Sequence, residues 1–183
     1  NRRRITGAQA AEAVLRSHGV YDVPIRRCSG HLSDHYDPRD NTIYLSESVY
    51  GAATIAAVGV ACHEAGHAVM RYLLNEPMTR ASIIGTTSGV GGAVFGGDKD
   101  TCFTTNVDML NFIMIAYGGR ASEEIKFETL TTGASNDILQ ATAAMEEFVE
   151  KHGFDKEFGL LNMSVLREHN LIDGTEMLTR FSD

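Results

Sequence analysis

Thr54-Ile55-Ala56-Ala57-Val58-Gly59-Val60-Ala61-Cys62-His63-Glu64-Ala65-Gly66-His67-Ala68-Val69-Met70-Arg71-Tyr72-Leu73-Leu74 decides the fold. Ile55, Val58, Cys62, Ala65 and Val69 recur at spacings of three and four, while Ala56, Val60 and Met70 make the other side apolar as well. The pattern predicts a helix over about 54–74 that is buried nearly all round. Polar groups in such a helix are costly unless something uses them. Residues four apart differ by about 40° in direction and about 6 Å in height, so His63 and His67 can both reach one ion at zinc–nitrogen distances near 2 Å. Glu64 points aside, where it can touch a water on that ion rather than bind the ion. His63-Glu64-Ala65-Gly66-His67 therefore has the H-E-x-x-H spacing, two metal ligands and one general base. Cys62 falls on the apolar stripe with Ile55 and Val58 and reads as a packed core thiol.

Two histidines leave a catalytic zinc site one protein ligand short. Glu123, Glu124 and Asp137 are the downstream candidates. Asp137 stands just inside a helix start, where a carboxylate is favoured by the macrodipole in any case, so spacing alone leaves ligand and helix cap evenly matched.

Outward from the zinc helix, Thr6 caps a helix over about 6–18 that stops at Gly19. A short β segment spans about 23–27, residues 29–40 are dense enough in Gly, Ser, Asp and Pro to read as loop, and 42–45 is a strand. Beyond Pro77, Ser82-Ile83-Ile84 and Ala93-Val94-Phe95 read as short strands about a glycine-rich turn. A helix over about 105–117 ends at Gly118-Gly119, a second covers 120–127, and a third runs from Ser135 to His152, with Ile138, Ala141, Met145, Phe148 and His152 on one stripe. A last short helix is expected over 173–181. His18 and His152 sit at helix C-termini, where an imidazolium complements the dipole. His31 and His35 form a second His-x-x-x-His pair, but in a loop, without the helical geometry that would aim both at one ion, so a hydrogen-bonded loop near the active cleft is favoured over a second metal site.

The chain has 183 residues, 24 acidic side chains against 16 basic ones, a net charge of −8 and 43% hydrophobic residues. That is one domain's worth of sequence, and the acidic balance argues against a nucleic-acid partner. Three cysteines (Cys28, Cys62, Cys102) cannot all pair, which suits a reducing compartment. The longest run of small and apolar residues before His63, Gly51 to Cys62, has 12 residues, short of the roughly 18 a membrane span needs. A cytoplasmic place, or the cytoplasmic face of a membrane, is expected, with any anchor lying outside this chain.

Three stretches in order, His63-Glu64-Ala65-Gly66-His67, Gly118-Gly119-Arg120-Ala121-Ser122-Glu123-Glu124-Ile125 and Thr132-Gly133-Ala134-Ser135-Asn136-Asp137, closely resemble motifs of the peptidase domain of FtsH-type AAA proteases. The similarity covers about residues 60–165. It implies one Zn2+ ion held by His63, His67 and Asp137, Glu64 as base, and Glu123 as a supporting group behind the ligands. It also places the substrate-binding edge strand at Ser82, Ile83 and Ile84. The first 60 residues instead resemble the YugP-like neutral zinc metallopeptidases, through Gly19-Val20-Tyr21-Asp22-Val23-Pro24 and Gly30-His31-Leu32-Ser33-Asp34-His35-Tyr36-Asp37-Pro38. No Walker-type loop is present, so the expected ATPase is absent from these 183 residues, which leaves work with a motor outside them and work alone on loose chains as alternatives.

The resulting expectation is an α+β, predominantly helical fold with a zincin-like active-site helix and a small β-sheet. One metallopeptidase domain would span 1–183, divided into an N-terminal helix, loop and strands (1–53), a zinc peptidase core (54–165) and a tail (166–183). Its function would be hydrolysis of polypeptides through a metal-activated water, with a homo-oligomer as one form of assembly. The competing class is a non-catalytic, zinc-stabilised polypeptide-binding or adaptor module, which needs ligands but no Glu64.

Overall fold

A computed structural model describes residues 4–30, 33–76, 104–127, 132–157 and 159–168. These fall into two compact units, residues 1–141 and 142–183. The fold is predominantly helical α+β with one small sheet.

In the first unit, α1 (Gly7–Ser17) opens on a capping box: Thr6 accepts from the Gln9 backbone and the Gln9 side chain returns to the Thr6 N–H. The box satisfies two amides that a helix start leaves bare. At the other end His18 Nδ1 lies 2.9 Å from the Val14 carbonyl. Three strands follow, β1 (Ile25–Cys28), β2 (His35–Asp37) and β3 (Thr42–Ser46), in the order β1-β3-β2. β3 is parallel to β1 and antiparallel to β2, with Tyr36 opposite Ile43. The first strand thus begins at Ile25, beyond the proline, and β2 lies inside the stretch expected to be loop. Three residues are too few to show alternation, and their place is fixed by pairing with β3 rather than by their own pattern. The short helix α2 (Glu47–Tyr50) follows directly.

The central helix α3 (Ile55–Leu73) starts at Thr54, whose side chain accepts from Ala57 N. It is flanked by α1 and the strands on one side and by α4 (Asn106–Phe127) on the other. Ala57, Ala61, Ala65 and Ala68 present small side chains to Ala11, Leu15, Val20, Ile43 and Leu45, all buried. Cys62 packs with Ala10 and Val58, as expected of a core thiol. The middle of α3 is buried all round, but Ile55 at its start is 68% exposed, so the buried stripe begins at Val58 rather than at the first residue.

α4 runs unbroken through Gly118-Gly119, where the sequence reading placed a stop. Two glycines cost a helix about 1 kcal/mol each relative to Ala, yet they let α4 lie backbone to backbone against α3. A Cβ on Gly66 would collide with the Gly118 carbonyl, and one on Gly118 would lie 2.7 Å from the Gly66 carbonyl oxygen. Ser122 adds a bond across the crossing, its hydroxyl 2.8 Å from the Cys62 carbonyl oxygen. A 3-10 turn (Thr132–Ala134) leads into α5 (Ser135–Glu146).

α5 continues as a π-helical turn, Glu147–Lys151. Along it Ala141, Ala144 and Phe148 are buried whereas Ile138 and Met145 are exposed, so the buried stripe is narrower and more alanine-rich than expected. Within the second unit, Phe154 packs edge-on to Phe148 at 5.4 Å and stacks on His152 at 5.3 Å. A short helix α6 (Met163–Glu168), not anticipated from the sequence, follows. The expected strands at 82–84 and 93–95 and the helix at 173–181 lie outside the described residues. Among the described residues no helix is long and apolar enough to cross a membrane.

Candidate metal centre

His63 and His67 stand one turn apart on the buried face of α3, their rings edge to face and their Nε2 atoms 3.1 Å apart. Each ring is held from behind. His63 Nδ1 lies 2.8 Å from Glu123 Oε1, on α4, and His67 Nδ1 lies 2.8 Å from the Ile115 carbonyl oxygen, also on α4. An imidazole that donates from Nδ1 to an oxygen carries its lone pair on Nε2. The oxygens behind the rings therefore turn both lone pairs toward one point. Asp137, in the first turn of α5, brings Oδ2 to 3.0 Å from His63 Nε2 and 3.6 Å from His67 Nε2.

These spacings suit a shared ion. Tetrahedral bonds of about 2.0–2.1 Å put neighbouring ligand atoms about 3.3 Å apart. Two imidazole nitrogens and one carboxylate oxygen are a three-ligand set that leaves a fourth position open, and among the described residues no other His, Cys, Asp or Glu joins the cluster. The space facing α4 is kept by a glycine: a Cβ on Gly119 would lie 2.5 Å from His63 Nε2 and 2.7 Å from His67 Nε2. No larger residue fits there without filling the point on which the lone pairs converge.

The charges agree with a cation site. Burial pulls the His63 imidazole down, but the hydrogen bond to Asp137 and the carboxylates of Glu64, Asp137 and Glu123 outweigh it, so its pKa is raised. Burial raises Asp137, yet hydrogen bonds to His63 and His67 and the charge of both rings hold it well below the usual carboxylate range. Glu64, 9% exposed, is pushed up by burial, and the nearby histidines and the Tyr36 backbone N–H offset this only in part. That N–H donates to Glu64 Oε2 at 2.9 Å.

The three candidates for the third ligand thus occupy different places. Asp137 faces the Nε2 atoms, Glu123 is buried on the Nδ1 side of His63, and Glu124 is exposed. Ser82, Ile83, Ile84 and His31 lie outside the described residues. His35 is exposed, its Nδ1 2.7 Å from the Ser33 carbonyl oxygen and its ring stacked on Tyr44 at 5.1 Å. The sequence reading missed the Ile115 carbonyl and the Tyr36 N–H, backbone groups that residue identity does not mark. It also took Gly119 for a helix stop, although two adjacent glycines in a helical context do signal close approach.

A model of peptidase family M41 matches residues 56–183. A second, described as "Putative neutral zinc metallopeptidase", matches residues 1–91. Among curated relatives, ATP-dependent zinc metalloprotease FtsH 1 of Alkaliphilus metalliredigens is 36% identical over 72% of this chain and 24% of its own length. An ATP-dependent zinc metalloprotease FtsH of Lachnoclostridium phytofermentans is 38% identical over 59% of this chain and 19% of its own. "Putative membrane protease YugP" of Bacillus subtilis is 38% identical over 50% of this chain and 45% of its own. The chain spans less than half the length of each of these relatives. With its M41 match running from the start of the zinc helix to the C-terminal residue, the chain belongs to peptidase family M41.

Proposed function

We propose that this chain is a zinc-dependent endopeptidase in which His63, His67 and Asp137 hold one Zn2+ ion and Glu64 is the general base. The observation that carries this reading is the convergence of two oriented Nε2 lone pairs and one carboxylate beside a buried glutamate. Bound zinc supplies a Lewis acid that lowers the pKa of a water toward neutrality and polarises the scissile carbonyl. Glu64 accepts the water's proton and passes it to the leaving amine. Glu123 and the Ile115 carbonyl keep the rings in the tautomer that ligation needs. The substrate is an extended polypeptide whose backbone adds to an edge strand at Ser82, Ile83 and Ile84. A homo-oligomer, and a motor or membrane anchor outside these residues, are the partners this reading admits, at the cytoplasm or its membrane face. A zinc-stabilised adaptor would need the ligands but not a glutamate buried beside them.

Glu64→Gln tests this. The amide keeps size and hydrogen-bonding shape but cannot take the proton, so zinc content should be retained while cleavage of casein falls about 100-fold or more. Casein cleavage at the parent rate would overturn the mechanism.

A further inference from the structure

We propose that the backbone N–H of Tyr36, on the outer edge of β2, is the positioning group for Glu64. The inference rests on the reading of Glu64 as the base. It makes the N-terminal segment a working part of the site rather than an appendage to the zinc helix.

A glutamate carboxylate swings on three side-chain bonds, and a base must be held within a fraction of an ångström of its productive geometry. The Tyr36 N–H supplies that hold, donating to Glu64 Oε2 across 28 residues of sequence. Among the described residues it is the one hydrogen bond that Glu64 makes, which leaves Oε1 to meet the water. Among the described residues β2 is an edge strand, and the N–H that reaches Glu64 is directed away from β3. Its position is set by a pinned hairpin. Tyr36 Oη donates to Asn41 Oδ1 at 2.7 Å, Asn41 donates on to the Asp22 carbonyl, and Arg39 closes on Asp37 through both its backbone N–H and its guanidinium. Asn41 takes the left-handed conformation that turns the chain into β3, φ 54. A backbone donor on a strand tied down this way cannot swing with Glu64.

The test removes the N–H alone. Tyr36→Ala and Tyr36→Pro both lose the ring, but only proline loses the N–H, and an outward-facing N–H on an edge strand is where a sheet tolerates proline. Tyr36→Pro should have a kcat about 10-fold or more below that of Tyr36→Ala, with KM and zinc content alike. Should the proline variant not fold, an amide-to-ester replacement at Tyr36, which keeps ring and strand, is compared with the parent and should show the same loss. The second readout is independent of turnover. In the cobalt(II)-loaded ester variant, the d–d bands that report the coordination sphere should move from the parent's in the direction they move in Glu64→Gln. Unchanged kcat or unchanged bands in the ester variant overturn the proposal. An inactive Glu64→Gln beside a fully active ester variant would defeat the Tyr36 assignment alone, whereas an active Glu64→Gln would defeat the assignment of the base.

Discussion

Asp137 satisfies two demands at once: it sits in the first turn of α5, where the helix dipole favours a carboxylate, and it touches both Nε2 atoms. The two roles separate on substitution. Asp137→Asn keeps an oxygen for the helix start but removes the charge, so a capping role leaves zinc in place and a ligand role loses it. We expect loss of zinc on dialysis against a mild chelator. Glu123→Gln, acting through His63 Nδ1, should weaken zinc binding or activity by about 10 to 100-fold. Normal retention in Asp137→Asn together with metal loss in Glu123→Gln would exchange their roles. Protons compete for the same nitrogens. A ligating imidazole must be neutral, and the pKa of His63 is raised, whereas Asp137 stays ionised well below the ordinary range. Zinc affinity is therefore expected to weaken as pH falls from about 8 to about 6, starting above the ordinary histidine value of about 6.5. Equilibrium dialysis across that window checks the sign, and a constant affinity would contradict it.

Helix α3 was legible in the sequence because periodicity and cost coincide: a long apolar repeat with three polar residues in its middle admits few other readings. The course of α4 was not, since glycine propensity argues for a break, and only the partner helix shows why the break does not occur. Propensity alone makes Gly66→Ala stabilising by about 1 kcal/mol. The new methyl would instead press on the Gly118 carbonyl and on Ser122 Cβ, and overpacking of this kind costs about 1–3 kcal/mol. A lower Tm than the parent is expected, and a higher one would contradict the close crossing. Gly119→Ala differs in kind, because its methyl would lie against both Nε2 atoms rather than against backbone. That variant should fold, as circular dichroism can verify, and fail to retain zinc. Strand β2 escaped notice because three residues in a stretch rich in Ser, Asp and Pro carry no pattern of their own; the neighbouring strand and the Tyr36–Asn41 bond hold it.

Across the whole molecule, the site is assembled from segments distant in sequence. His63, Glu64 and His67 come from the zinc helix, Glu123 and the Ile115 carbonyl from α4, Asp137 from α5, and the Tyr36 N–H from the N-terminal sheet. The two family models overlap over residues 56–91, which include most of α3. That His63 and His67 would stand side by side with Glu64 turned away was readable from spacing on that helix, since a single helical turn fixes their relation. Asp137 was not, because nothing local tells which of three acidic residues the fold will carry back to the histidines, and only the resemblance singled it out. The most direct measurement is an anomalous-scattering map at the zinc edge from crystals of the zinc-loaded protein. A single peak about 2.0–2.2 Å from His63 Nε2, His67 Nε2 and an Asp137 carboxylate oxygen is expected, with the fourth position open to solvent beside Glu64. A peak bound by Glu123 in place of Asp137, or one closed by a fourth protein ligand, would contradict it.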